Sequence, residues 1–284
     1  MRRFLALVSL VACLLTLSSN VNATKHFVLV HGAAHGAWCW YKVATLLESV
    51  GHNVTALDLT ASGVNPSHVR QVKPLTDFLA SLPDTADKVV LVGHSLGGLS
   101  ISLAIESFPH KISVAIFISA FMPGPSLSYL AIYNKTTQEE GYFMDSQFIY
   151  DEGPNNPPTA LHFGPNFIAS RLYKLSPPED LVLALSLARP FPLFYDQKLV
   201  TKEVKLTEER YGSVPRVFIM CDQDNGLEVS LQKWMIERNP PLEVRVINGT
   251  DHMVIATKPL KIFSNLIEIA EKYSYNSLKL IATS

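Results

Sequence analysis

Apolar positions fall along the chain in two alternating rhythms. Strand-like runs occupy 27–30, 54–57, 89–92, 112–119, 216–221 and 244–247. They are short, rich in β-branched residues and mostly unbroken, the pattern of strands buried on both faces. Between them, apolar residues recur at helical spacing over 41–49, 75–82, 227–237 and 260–272, and again at Leu99, Leu103 and Ile105, which predicts amphipathic helices. Strands alternating with helices predict an α/β domain with a parallel sheet covered on both sides. The rhythm fails from 122 to about 211, where proline, aromatic residues and short helical pieces take over, punctuated by Pro123-Gly124-Pro125 and Pro157-Pro158. The organisation read is a single α/β domain over 24–284 with a cap inserted at about 122–211. No internal repeat is visible, and the tail at 274–284 suggests no role.

The first 23 residues read differently. Arg2-Arg3 is followed by an apolar run over 4–15, polar residues, and Val21-Asn22-Ala23 with small residues at the −3 and −1 positions. That is the pattern of a secretory signal peptide, and the run is short for a membrane span. The expected location is therefore secreted or endomembrane, or cytoplasmic if the leader is not used. Three sequons, at Asn53, Asn134 and Asn248, are compatible with a secreted glycoprotein. Without Arg2 and Arg3 the chain keeps 22 basic against 25 acidic residues, with no basic stripe for nucleic acid and no polybasic membrane patch. Only Cys39 and Cys221 remain beyond the leader's Cys13. Two cysteines make no disulfide framework or metal motif, and burial as small hydrophobes is the simpler reading.

Chemistry is concentrated where Val89-Val90-Leu91-Val92 runs into Gly93-His94-Ser95-Leu96-Gly97-Gly98. A strand entering Gly-x-Ser-x-Gly and leaving as a helix is a nucleophile elbow, with the serine hydroxyl lifted above the sheet. Serine needs a positioned base. Of the nine histidines, His252 follows the late strand at 244–247 and comes after the acidic cluster, as the order serine, acid, histidine requires. Asp222 and Asp224 both follow the strand at 216–221, and spacing does not choose between them; Asp251 is expected to bond within its own turn. The small residues of His31-Gly32-Ala33-Ala34-His35-Gly36, after the first strand, allow close approach of backbone N–H groups. Those of Ala33 and Leu96 are the expected oxyanion donors, worth about 3 kcal/mol each. His31 and His35 lack a third metal ligand at suitable spacing and read as loop-ordering groups with backbone partners. Asp58 alone, without Gly-x-Gly-x-x-Gly, gives little support to dinucleotide binding.

These residues, together with Gly36-Ala37-Trp38-Cys39-Trp40-Tyr41-Lys42, Ala56-Leu57-Asp58-Leu59, Ala120-Phe121-Met122-Pro123, Ser176-Pro177-Pro178-Glu179-Asp180-Leu181 and Asp251-His252-Met253, resemble the plant methylesterases. That family comprises α/β-hydrolases related to hydroxynitrile lyases and to the salicylic-acid-binding and polyneuridine aldehyde esterases. The resemblance runs from Lys25 to about Tyr273. It implies an α/β-hydrolase fold, no cofactor and no metal. It also implies Asp224 as the catalytic acid beside Ser95 and His252, oxyanion donors at Ala33 and Leu96, and methyl esters of salicylate, jasmonate or indole-3-acetate as substrates. Gly63-Val64-Asn65-Pro66 and the block from Ser176 come nearest to the methyl jasmonate esterases. There are two departures. Most relatives lack a leader, and the segment 63–82 is about two helical turns shorter than usual, which leaves the helix before the elbow strand open.

The favoured function is a carboxylesterase whose acyl pocket includes Gly32, Phe121, Phe143 and Met253, with Tyr129, Tyr142 and Phe163 as further candidate walls. Two rivals are kept: a hydroxynitrile lyase, and a hormone-binding protein with low turnover. Related lyases place a lysine after the catalytic histidine and a threonine in the oxyanion loop. This chain has Met253 and Gly32 there, and glycine is expected to leave room at the hole. The partners expected are a small-molecule ester and, compatibly with these features, a second copy in a homodimer.

Overall fold

The computed structural model describes residues 23–60, 62–63, 72–193 and 205–282, with side chains up to 273. The leader read at 1–23 thus lies, up to residue 22, outside the described residues. The main sheet has six strands: β1 (His26–Val30), β2 (Asn53–Leu57), β3 (Val89–His94), β4 (Ile112–Ile118), β8 (Arg216–Cys221) and β9 (Glu243–Ile247). They lie in the order β2-β1-β3-β4-β8-β9, and every pairing is parallel. Successive side chains of a strand point to opposite faces. Val28, Leu29 and Val30 are all fully buried, as are Ile116, Phe117 and Ile118, so both faces of the central strands are covered. At the margin this changes: in β9, Val244 and Val246 are exposed while Ile247 is buried. Continuous apolar reading therefore describes the centre of the sheet and fails at its edge.

Helix α1 (Tyr41–Ser49) packs with the C-terminal helix, and α2 (Lys73–Ser81) packs with the elbow helix α3 (Gly97–Ser107). The helix left open before the elbow strand is thus formed despite the short segment. Pro74 stands in its first turn and Leu75 and Leu79, one turn apart, are fully buried. The C-terminal helix spans Pro259–Ala282, longer than the 260–272 predicted, so residues 274–282 continue it rather than trailing from it.

Between Ile118 and Arg216 the described chain adds nothing to the main sheet. It forms helix α4 (Tyr129–Thr136), a helical stretch through Pro165–Phe167 and Ile168–Leu172, and helix α5 (Pro178–Leu187). It also forms a small antiparallel sheet of β5 (Gln147–Ile149), β6 (Ala160–His162) and β7 (Phe191–Pro192). The sequence reading did not foresee that sheet, because strands of two or three residues are too short to show alternation.

The turn from β3 into α3 is tight. Ser95 has φ of +55°. A Cβ on Gly97 would stand 2.6 Å from the carbonyl oxygens of Val30 and His31, and one on Gly98 would stand 2.1 Å from that of Phe121. Both glycines let the elbow helix lie against main chain. Gly98→Ala should therefore destabilise the protein by about 2 kcal/mol through overpacking, read as a lower urea midpoint. An unchanged midpoint would show that the chain at Phe121, beyond β4, yields freely.

Candidate active site

Ser95 sits beyond the carboxyl end of β3, where its own N–H donates to the carbonyl of Ile118 at 3.3 Å and its carbonyl accepts from the N–H of Phe121 at 3.0 Å. His252 follows β9 and is buried. Its Nδ1 pairs with Oδ2 of Asp224 at 2.8 Å, leaving Nε2 as the nitrogen available to a serine proton. Ser95 and His252 line the same cavity.

Asp224, buried beyond β8, receives donors on both oxygens. Oδ1 accepts from the N–H groups of Gly226 and Leu227, each at 2.7 Å. Oδ2 accepts from His252, from Gln232 Nε2 at 3.2 Å, and from the hydroxyl of Ser119. Asp222, the alternative left open by spacing, turns elsewhere. It accepts from the N–H groups of Gly249 and Thr250 at 2.7 and 3.3 Å and so closes the turn after β9. Asp251 departs from the expectation that it bonds within its own turn. Its fully buried carboxylate accepts from the N–H of Leu175 at 2.7 Å, the hydroxyl of Ser176 at 2.9 Å and the hydroxyl of Thr257. A buried carboxylate demands several donors. Two of these come from the cap, so Asp251 ties the cap to the histidine loop.

The loop after β1 is ordered by its histidines. Leu59 donates its N–H to His31 Nε2 at 3.1 Å, which makes Nε2 the acceptor and Nδ1 the protonated nitrogen. That Nδ1–H donates to the carbonyl of Gly32 at 2.8 Å. The N–H of Ala33 belongs to the same peptide unit and points the opposite way, since no peptide here is cis. His31 therefore grips one end of the peptide whose other end was expected to hold the oxyanion. Among the described residues neither Ala33 nor Leu96 has an acceptor for its N–H, and both line the cavity. His35 has one backbone partner, the carbonyl of Ala33 at 2.8 Å, and one side-chain partner, the hydroxyl of Tyr173 at 2.7 Å. The expectation of purely backbone partners holds for His31 and only in part for His35. Gly32 does not leave room at the hole: a Cβ there would stand 2.7 Å from that of Ser95, so the glycine permits close packing against the serine.

The cavity opens to solvent, and its empty space together with that opening amounts to about 750 Å³. Phe121, Tyr129, Tyr142, Phe143 and Phe163 all line it, as do Gly32 and Met253. The aromatic walls lock one another, with Phe163 stacked on Phe167 at 4.4 Å and edge-on to Phe191 at 4.9 Å. Sequence reasoning missed Ser119, Gln232 and His94. Only tertiary contact reveals them: the Nε2–H of His94 donates to the carbonyl of His252 at 2.8 Å, and the two imidazoles lie 4.8 Å apart. Among the described residues, no group of three His, Cys, Asp or Glu side chains is placed to hold a metal. Cys39 and Cys221 are buried and unpaired.

Residues 27–265 match the Alpha/beta hydrolase family. Methyl jasmonate esterase 1 of Vitis vinifera is 52% identical over 258 residues, 88% of this chain and 98% of that protein. Salicylic acid-binding protein 2 of Nicotiana tabacum is 46% identical over 259 residues, covering 88% and 98%. Among solved structures, tomato methylketone synthase I complexed with 2-tridecanone superposes with a TM-score of 0.83 at 49% identity, covering 88% of this chain and 99% of that one.

Burial lowers the pKa of His31, brings that of His35 down to about 4 and holds that of His94 well below the usual value. Each imidazole is thus kept neutral in the fold, while the unfolded chain protonates near pH 6.5. Their stabilisation is present above that pH and is withdrawn as pH falls below it, for His35 down to about 4. Stability should drop by up to about 1.4 kcal/mol per pH unit for each histidine. Urea midpoints measured from pH 7.5 to 4.5 check this, and a flat profile would contradict it.

Proposed function

The chain belongs to the α/β-hydrolase family and, within it, to the plant methylesterases, and on that premise we propose that it hydrolyses methyl esters of small apolar acids through an acyl-enzyme on Ser95. It is a carboxylic ester hydrolase. One observation carries the mechanism: Ser95, the Asp224-paired His252, and Ala33 and Leu96, whose N–H groups meet no acceptor among the described residues, line one apolar cavity. The Ser95 hydroxyl attacks the ester carbonyl as His252 Nε2 takes its proton. The carbonyl oxygen, now an anion, is held by the two N–H groups. Collapse breaks the C–O bond to the methoxy group, which leaves as methanol with the proton from His252. Water, deprotonated by the same imidazole, then releases the acid and restores Ser95. Asp224 orients the imidazole and stabilises its charged form.

The aromatic walls favour a neutral, flat or cyclic acyl group, and an apolar cavity disfavours the carboxylate produced, which promotes release. The 52% identity to a methyl jasmonate esterase makes methyl jasmonate the first ester to try, with methyl salicylate and methyl indole-3-acetate beside it. Against the lyase reading, Met253 is buried at the cavity and offers no charge to a departing cyanide.

Ser95→Ala should lower kcat by a factor on the order of 10⁶, and Asp224→Asn by about 10⁴. Asp222→Asn should leave turnover within about threefold of wild type, because it acts only on a turn. Purified Ser95→Ala turning over near normally would remove the acyl-enzyme, and Asp222→Asn proving the worse aspartate variant would move the acid. The wild type should release no cyanide above background from mandelonitrile; efficient release with no ester hydrolysed would install the lyase instead.

For location, we propose that the leader is removed after Ala23 and that the protein enters the endomembrane system. Asn53, Asn134 and Asn248 are all exposed, so the mature protein should start at Thr24 and shift on endoglycosidase treatment. A glycan-free protein beginning at Met1 would count against both.

A further inference from the structure

Tyr142 lies in the cap, but its hydroxyl leaves the cap. It donates to the main-chain carbonyl of Gly226 at 2.6 Å. That carbonyl and the N–H of Leu227 are the two ends of one peptide unit, pointing in opposite directions across a trans bond. The Leu227 N–H donates to Asp224 Oδ1 at 2.7 Å. One peptide is therefore held at its oxygen by a cap tyrosine and presents its hydrogen to the carboxylate that pairs with His252. Gly226 is confined on the other side as well. Its N–H also donates to Asp224, and a Cβ on it would stand 3.0 Å from Cγ of the His252 imidazole. A side chain there would press on the imidazole and on Leu172, so the peptide lies close against the histidine.

The tyrosine ring is fixed as firmly as its hydroxyl. It walls the cavity and meets Phe143 and Phe167 edge-on at 5.1 and 5.7 Å. The Arg171 guanidinium stands 5.3 Å from the ring centre and pairs with Glu139 at 2.7 Å. Burial, with the Asp224 charge behind it, pushes the phenol pKa upward, so the hydroxyl remains a donor throughout the working range.

We propose that Tyr142 is a positioning residue for the hydrolysis: its hydroxyl fixes the Gly226–Leu227 peptide and, through it, the Asp224 carboxylate against His252. The same device operates at His31, which grips the Gly32 carbonyl and sets the N–H of Ala33. Two side chains outside the reacting set thus orient peptide units, one toward the carboxylate and one toward the oxyanion. The proposal rests on the roles given above to Ser95, His252 and Asp224.

Tyr142→Phe keeps the ring and the cavity wall and removes only the donor. Turnover of whichever methyl ester the wild type hydrolyses should fall roughly ten-fold in kcat, the kinetic equivalent of one lost hydrogen bond, with KM within about twofold. The double variant with Asp224→Asn separates positioning from a general structural role. If Tyr142 acts through Asp224, adding Tyr142→Phe to Asp224→Asn should change kcat by less than about twofold, since coupled residues are non-additive. A full ten-fold further loss in that background, or an unchanged kcat in Tyr142→Phe alone, would overturn the proposal while leaving the hydrolase intact. A wild type that turns over no ester overturns the hydrolase reading and this proposal with it.

Discussion

Ser95 keeps a left-handed backbone, with φ of +55°, because the chain around it leaves no other path. Its N–H is bound to the end of β4, its carbonyl to the N–H of Phe121, and the helix that follows starts where only glycine fits against the strand ends. A non-glycine residue in that region costs about 1–3 kcal/mol, offset here by the central strands buried on either side of the turn. The strain places one hydroxyl beyond the end of the strand, among the residues that line the cavity. Everything else in the site is arranged around that fixed point.

Burying so many polar groups near one serine is tolerable only if each finds partners. Asp224 takes donors on both oxygens, Asp251 takes donors from two elements, and His31, His35 and His94 each bond to main-chain groups. Such networks are rigid because an unpaired member costs more than a paired one gains. The consequence is preorganisation: under the proposed mechanism the imidazole and the two N–H groups need little rearrangement when charge develops on the substrate. The acid-sensitivity of the buried histidines is the corresponding cost.

The cap is bound into this network rather than laid over it. Asp251 holds Leu175 and Ser176, Tyr142 holds Gly226, and Lys42 and Tyr41 of α1 both reach Asp180 in the cap helix α5. The apolar walls of the cavity and the polar groups around Ser95 therefore share attachment points.

The sequence by itself determined the order of strands and helices and the turn at Ser95, and it pointed to His252 as the base and to a cap at about 122–211, because each leaves a local trace: unbroken apolar runs, glycines around a serine, a histidine after the last strand. It left Asp222 and Asp224 equivalent, since both follow the same strand and differ only in where the folded chain turns them. The resemblance to the methylesterases pointed to Asp224, and the contact with His252 is tertiary. Ser119, Gln232 and His94 were not legible at all, and Tyr142 was legible only as a cavity wall. Their hydrogen bonds to the site span 105, 8, 158 and 84 residues, and no spacing rule encodes a partner that only packing brings near. The small cap sheet was hidden for a different reason, its strands being shorter than the period that identifies a strand. Local pattern settled which groups could do chemistry; the tertiary fold decided which of them meet, because hydrogen-bond geometry is fixed by packing between elements and not by order along the chain.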